Sequence, residues 1–314
     1  MSDTPAITVI IPSKNDHERL AGCLAALRAQ SLDASQFEII VADNGSDPSL
    51  ESLAEEHGAR YVLEPEGGSY AARNAALRLA RGEIIAFTDS DCIPAEDWLE
   101  LGLAALASRD GRVDLPDLIA GRMEVFARDA DAPTAAEIYE MLFAFPQQAY
   151  VHGDSFGVTA NLFVRSKVFE AVGGFEDGLH SGGDREFGRR AVRAGFNLNY
   201  DSACVVWHPA RHSIEQLYKK LDRVIGGLTD SELTGTRGAR LAEQRAKHAL
   251  RPPIGQWRKV WRRKDASFKL RLATCVLIAR LRWRTAALYR EAARSLASPA
   301  PTPPPRPEGR SSAG

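Results

Sequence analysis

Short apolar runs alternate with amphipathic stretches through the first third of the chain. Residues 7–12, 37–42, 60–63 and 83–88 are runs of mostly apolar, β-compatible residues. That pattern belongs to strands covered on both faces. Residues 18–29, 48–57, 70–80 and 95–108 read as the helices between and after them. In the first helix Leu20, Leu24 and Leu27 fall on one face. Asp16 stands at its N-cap position, and Pro48 and Pro94 stand at the starts of the second and fourth helices. Strands and helices alternating through short loops predict an α/β fold with a mostly parallel sheet and right-handed crossovers. The polar turns after the first, second and fourth strands then share one edge of that sheet.

From residue 118 the pattern changes to mixed α+β. Strands are expected at 119–126, 158–164, 198–200 and 205–207, and helices at 134–145, 184–194 and 214–225. Gly173-Gly174-Phe175 reads as a turn, and Gly195 sits at a helix C-cap. Residues 226–250 are polar and read as mobile. Residues 268–296 read as a basic helix with Phe268, Leu272, Ala279 and Trp283 on one stripe. The Pro-, Ser- and Gly-rich residues 298–314 are expected to be disordered.

The chain has 314 residues, 44% of them hydrophobic and 26% charged, the balance of a soluble globular protein with a sizeable core. Its four cysteines form no Cys-x-x-Cys pair, which argues against a zinc knuckle or disulfide framework and fits a reducing compartment. The start of the chain lacks a basic and an apolar leader region, so no signal peptide is expected. No apolar run reaches the ~18 residues of a membrane span.

The net charge of −1 conceals an asymmetry. Residues 251–314 carry 15 Lys+Arg against 3 Asp+Glu, and the preceding 250 residues carry 25 against 38. A basic end on an acidic body predicts an anionic partner surface, or a solvated helix packed on the body. Trp257, Trp261 and Trp283 among the basic residues favour a membrane interface. No recognition module accompanies the charge, so nucleic acid is not an expected partner.

Two clusters could carry chemistry. The fourth strand ends in Asp89-Ser90-Asp91, whose two carboxylates share one side of an extended chain. Like charges so placed need a cation or hydrogen-bond donors. Open α/β sheets bind ligands at that edge, which points to a divalent-metal and phosphate site. The plainer reading is a polar turn, since Asp and Ser are ordinary turn residues. Asp43 ends the second strand and is expected near the same edge. The second cluster is Gly183-Asp184-Arg185-Glu186 after Ser181-Gly182. Asp184 is either a helix N-terminal carboxylate or a reactive group on a closing loop. His208, at a strand end, is either an ordinary polar residue or a metal ligand.

Taken together, these stretches resemble the family 2 glycosyltransferases, inverting enzymes of the GT-A fold. The matching pieces are Val9-Ile10-Ile11-Pro12 with Asn15, Val41-Ala42-Asp43-Asn44-Gly45-Ser46, Ala71-Ala72-Arg73-Asn74 and Phe87-Thr88-Asp89-Ser90-Asp91. Further on come Asn161, Gly173-Gly174-Phe175, and Gly183-Asp184-Arg185-Glu186-Phe187 with Arg190 and Gly195. The resemblance spans residues 5–225. It implies a nucleotide-binding half at 1–117, an acceptor half at 118–225, and a basic helical extension at 226–297.

The resemblance also implies roles. Pro12, Asn15, Asp43, Arg73, Asp89 and Ser90 would hold the nucleotide-sugar, with Asp43 on the base, Arg73 on the nucleotide and Asp89 on the ribose or sugar. Asp91, with His208, would hold Mn²⁺ or Mg²⁺. Asp184 would be the general base, and Asn161, Gly183 and Arg211 would lie on the acceptor side. Many members carry Glu-Asp where this chain has Gly183-Asp184, so the acidic neighbour of the base is missing. The implied reaction moves a sugar from a nucleotide-sugar, expected to be UDP-linked, to an acceptor hydroxyl. The expected acceptor is a glycan or lipid-linked chain in cell-surface polysaccharide or glycolipid synthesis. The expected location is the cytoplasm, peripheral on the inner face of the plasma membrane. A cation on carboxylate and phosphate oxygens would neutralise the diphosphate leaving group. One catalytic carboxylate suffices, unlike the pair of a glycosidase. Two competitors are a nucleotidyltransferase and a nucleotide-sugar-binding protein without turnover. The first usually has a Gly-rich loop after strand one, where this chain has Pro12-Ser13-Lys14-Asn15.

Overall fold

A computed structural model of the chain describes residues 4–107, 115–179 and 181–297. The expected helix end at 108 and the tail at 298–314 lie outside the described residues. β1 (Ile7–Ser13), β2 (Phe37–Asp43), β3 (Arg60–Leu63) and β4 (Ile84–Thr88) pair in parallel. They are joined by α1 (His17–Arg28), α2 (Glu51–Glu56) and α3 (Gly68–Leu77). Their residues alternate between two cores. Val9, Ile11, Val41 and Ala86 face one layer; Ile10, Ile40, Ala42 and Phe87 face the other. This is why these runs are apolar throughout.

After β4 come β5 (Ile93–Pro94), α4 (Trp98–Leu106), β6 (Leu118–Phe126), α5 (Ala135–Phe143) and α6 (Gln147–Asp154). Then follow β7 (Asn161–Arg165), α7 (Ser166–Val172), α8 (Gly183–Arg193) and β8 (Leu198–Pro209). Among the described residues all eight strands form one sheet, in the order β3-β2-β1-β4-β7-β6-β8-β5. β7 turns antiparallel to β4 and β6, and β6 and β8 run parallel. The strands expected at 198–200 and 205–207 are one strand with a bulge, where the partner of Gly121 is Asp201 and that of Arg122 is Val205. Pro94 does not open a helix; it pairs with Val206. Pro48 lies three residues ahead of α2 rather than at its start.

The chain closes with α9 (Ile214–Glu232), α10 (Gly235–Ala249), α11 (Ile254–Trp261) and α12 (Phe268–Ala297). The segment expected to be mobile is therefore the end of α9 and all of α10. A small-residue stripe explains it: Gly238, Ala242, Ala246 and Ala249 are buried, and α10 packs along α12. A polar helix with such a stripe can approach another backbone closely.

Asn161 opens β7 in the middle of the sheet and is fully buried. Its Nδ2 donates to the carbonyls of Arg122 (2.9 Å) and Cys204 (3.0 Å), and its Oδ1 accepts from Trp98 Nε1 (2.9 Å). Expected on the acceptor side, Asn161 spends its amide on pinning β6, the β8 bulge and α4. Asn161→Ala should cost about 2–4 kcal/mol, because it removes three hydrogen bonds from the middle of the sheet. Urea unfolding should show that loss with nucleotide affinity unchanged; wild-type stability with weakened acceptor use would return Asn161 to the acceptor side.

Candidate active site

The carboxyl ends of β1, β2 and β4 open on a cleft of about 700 Å³. Pro12, Ser13 and Asn44 reach it from the sheet edge, with Asp89, Ser90 and Asp91 beyond β4. Tyr70 and Arg73 of α3, Asp184 of α8, and Lys220 and Leu221 of α9 enclose it. The β1 and β2 loops are tied together: Asn15 N–H donates to Ser46 Oγ and Asp47 N–H to Asn15 Oδ1, both at 2.8 Å. Asn15 has φ 53°, which Asn tolerates better than most residues. Asp16 does not cap α1. It accepts from Arg19 Nε (2.7 Å) and Ser90 Oγ (2.9 Å), joining the start of α1 to the turn after β4.

Arg73 is buried, and its Nη2 donates to Asp89 Oδ1 at 2.5 Å. Its Nε has no hydrogen-bond partner among the described residues, nor do the buried hydroxyls of Ser13 and Thr88. Such groups cost stability unless a ligand or water satisfies them. Arg73 and Ser13 both line the cleft, and Thr88 ends β4 beside it.

Asp43 reaches the right edge but is not among the residues that line the cleft. It is fully buried, accepting from Ser46 N–H (2.8 Å), Leu50 N–H (3.2 Å) and Tyr61 OH (3.0 Å). These donors outweigh its burial and hold its carboxyl below the ordinary range. Its carboxylate shapes the loop that carries Asn44 into the cleft.

Asp91 Oδ2 lies 3.6 Å from His208 Nε2 and 3.5 Å from Arg19 Nη1. His208 Nδ1 donates to Pro209 O at 2.7 Å, which leaves Nε2 facing the carboxylate. A backbone-fixed tautomer of this kind is common in metal-binding histidines. No group of three His, Cys, Asp or Glu suited to a metal occurs among the described residues. A cation here would have two protein ligands and take the rest from substrate or water, as Mg²⁺ does. Arg211 is placed elsewhere. Its guanidinium and N–H both bind Glu140 Oε2 (2.9 and 3.1 Å), and Lys220 Nζ takes the other oxygen at 2.7 Å. Glu140, a carboxylate with no exposed surface, thus clamps α5 to α9.

Asp184 is in the first turn of α8, behind Gly182 at φ 86°, a conformation that favours glycine. The residue is half-buried at the cleft, and the loss of solvent around its carboxylate pushes the carboxyl above the ordinary range. The Arg185 N–H (2.8 Å), the Arg73 charge and the Tyr70 hydroxyl (3.4 Å) partly offset this, while Asp89 adds to it. Burial raises the Tyr70 hydroxyl too, so it stays a donor. A Cβ on Gly183 would fall 2.8 Å from the Tyr70 ring. The Tyr70 phenol thus occupies the space that a side chain on Gly183 would enter. Sequence reasoning missed Tyr70, although it immediately precedes the Ala71–Asn74 motif. Glu140 was missed as well; its signal was a carboxylate on the apolar face of a helix.

The Glycosyl transferase family 2 model matches residues 8–173. Glycosyltransferase AglE of Haloferax volcanii is 34% identical over 229 residues, covering 71% of this chain and 73% of that protein. The Pre-mycofactocin glycosyltransferase of Mycobacterium tuberculosis is 30% identical over 215 residues, 65% of this chain but 43% of that protein. Two solved structures show the same fold at low identity. Mannosyltransferase PcManGT from Pyrobaculum calidifontis, in complex with GDP-Man and Mn²⁺, matches with a TM-score of 0.54 at 19% identity, covering 94% of this chain and 76% of that one. S. aureus TarS 1-349, in complex with UDP-GlcNAc, matches with a TM-score of 0.52 at 18% identity, covering 92% and 90%.

Gly183→Ala should destabilise the fold by about 1–3 kcal/mol, the usual cost of overpacking. In a Tyr70→Ala background the loss should shrink. A urea-unfolding double-mutant cycle without coupling would show that the ring does not claim that space.

Proposed function

The chain belongs to glycosyl transferase family 2 and has the GT-A fold, and from that premise we propose that it moves a sugar from a UDP-linked donor to an acceptor hydroxyl with inversion. The observation that carries this reading is the cleft, where Asp89, Ser90 and Asp91 share one cavity with Arg73 and Asp184. The first half of the chain would hold the nucleotide, with Pro12, Asn15 and Asn44 around the base and Asp43 fixing that loop. Arg73 and Asp89 would hold the ribose and diphosphate. The unpartnered Arg73 Nε and Ser13 hydroxyl support this, as donors that an anionic ligand would satisfy.

Asp184 would accept the acceptor hydroxyl's proton as the oxygen attacks the anomeric carbon and the bond to the diphosphate breaks. The Tyr70 hydroxyl would orient that carboxylate, and Arg73 would meet charge on the leaving side. Asp91 and His208 would hold Mn²⁺ or Mg²⁺, which, when bound, neutralises the diphosphate. The neighbour PcManGT was solved with Mn²⁺, which supports metal use in this fold. We assign the acceptor to a glycan or lipid-linked hydroxyl at the inner face of the plasma membrane, in cell-surface glycan synthesis. Leu217, Leu221 and Val224 of α9 and Phe143 of α5 wall one side of the cleft. That wall suits an apolar carrier better than a free sugar.

Asp184→Asn should keep UDP binding and lose transfer by about 10²-fold or more, the usual contribution of a positioned base. Unchanged transfer removes Asp184 as the base. Because the Asp184 carboxyl titrates above its ordinary range, the base is lost as pH falls through that raised value. The acid limb of kcat/KM should therefore lie above the ordinary carboxylate pKa of about 4. Asp91→Asn should abolish the Mn²⁺-dependent thermal shift given by nucleotide-sugars; a shift equal to wild type would rule out Asp91 as a ligand.

A further inference from the structure

The row Phe268, Leu272, Val276 and Trp283 on α12 is left largely exposed to solvent. These side chains are 65%, 49%, 53% and 73% exposed. The opposite side of the same helix, with Leu277, Ile278 and Leu281, packs into clusters with α5, α9 and α11. Trp261 of α11 continues the outer row, its ring 5.4 Å from that of Phe268 and capped by the Arg271 guanidinium at 5.2 Å. Between α9, α11 and α12 an open, mostly apolar groove of about 1280 Å³ is floored by Trp257, Leu272, Val276 and Ala279. It holds none of the candidate catalytic residues.

The surroundings are basic. Residues 251–297 carry 13 Lys+Arg and 2 Asp+Glu. Exposed Lys269, Arg280 and Arg284 flank the row on α12, and exposed Arg262 and Lys264 follow Trp261. Of the acidic residues at the groove, Asp222 is paired with Arg284 at 2.9 Å, and Glu215 lies at the edge.

We propose that this face seats on an anionic lipid bilayer, with α12 lying in the interfacial plane. The Trp and Phe rings would enter the acyl boundary and the Lys and Arg side chains would meet the headgroups. Charge decides the occupant. A second copy would bring two strongly basic surfaces together, whereas anionic headgroups complement them. No helix among the described residues is long and apolar enough to cross a membrane, so the contact is to one leaflet. α9 is a shared wall: Tyr218 and Asp222 face the groove, and Leu217, Leu221 and Val224 face the catalytic cleft. The two are thus about one helix diameter apart, roughly 10 Å. The lipid face stands apart from the transfer chemistry; only its use, presenting a membrane-borne acceptor to the cleft, rests on the glycosyltransferase reading.

The test is flotation of the full chain with vesicles of phosphatidylcholine, with and without phosphatidylglycerol. Binding should require phosphatidylglycerol and weaken with salt. Phe268→Ser with Trp283→Ser should cut it about tenfold or more, since both rings supply buried apolar area. The double variant should keep its Tm, because both side chains are largely exposed. No binding to phosphatidylglycerol vesicles, or equal binding by the double variant, overturns the proposal. So does a concentration-dependent dimer that the same substitutions abolish, which would make a second copy the occupant. A chain that floats with vesicles but gives no thermal shift with any nucleotide-sugar upholds this face and sinks only the transferase reading.

Discussion

Arg73 carries a permanent charge and is almost wholly buried, and a buried guanidinium must be paired. Its partner is Asp89, immediately beyond the end of β4. This pair fastens α3 to the end of β4 and sets the floor of the cleft. It also reaches Asp184, whose carboxyl is pulled down by the Arg73 charge and pushed up by that of Asp89. The donor side and the proposed base are therefore one electrostatic unit, built from segments far apart in the chain. Arg73 Nε is left without a hydrogen-bond partner among the described residues.

A glycine at position 183 is favoured by the close approach of α8 to Tyr70. α8 begins against the Tyr70 ring so closely that only a residue without Cβ fits. The same ring packs against Phe175 and lies beneath the Arg73 guanidinium. Tyr70 thus supplies a neutral hydrogen-bond donor to Asp184 where a second carboxylate would add repulsion. In this chain the carboxyl's raised range is set by burial rather than by a like-charged neighbour.

The C-terminal helices complete the cleft and are more than an appendage. Glu140, Arg211 and Lys220 lock α9 to α5, and α9 offers one side to the cleft and the other to the groove under α12. A fully buried carboxylate holding two cations is costly to break, so the position of α9 is tightly defined. The basic charge of residues 251–297 is displayed around Trp261 and Trp283, whereas the cations that fix α9, Arg211 and Lys220, belong to the acidic part of the chain before it.

The apolar runs of the first four strands were legible because they are buried on both faces, and no other environment asks for that pattern. Their order placed Asp43, Asp89 and Asp91 on one edge, and the family resemblance added Asp184. Where side chains point was not legible. Asp43 and Asn161 are polar residues at sheet positions, and only packing decides that their hydrogen-bonding capacity is spent inside the protein. β5 and the β8 bulge escaped notice because a two-residue strand and an unpaired loop within a strand leave no periodic signal. α10 was read as mobile because its burial depends on small residues, which hydropathy does not distinguish from a solvated surface. The stripe on α12 was visible as a stripe, but its direction was not. The sequence by itself determined that there is a parallel sheet with carboxylates at its edge and a basic amphipathic end. The tertiary structure alone decided which carboxylates face the cleft and which face of α12 is left outside, because those choices depend on contacts between segments a hundred residues apart.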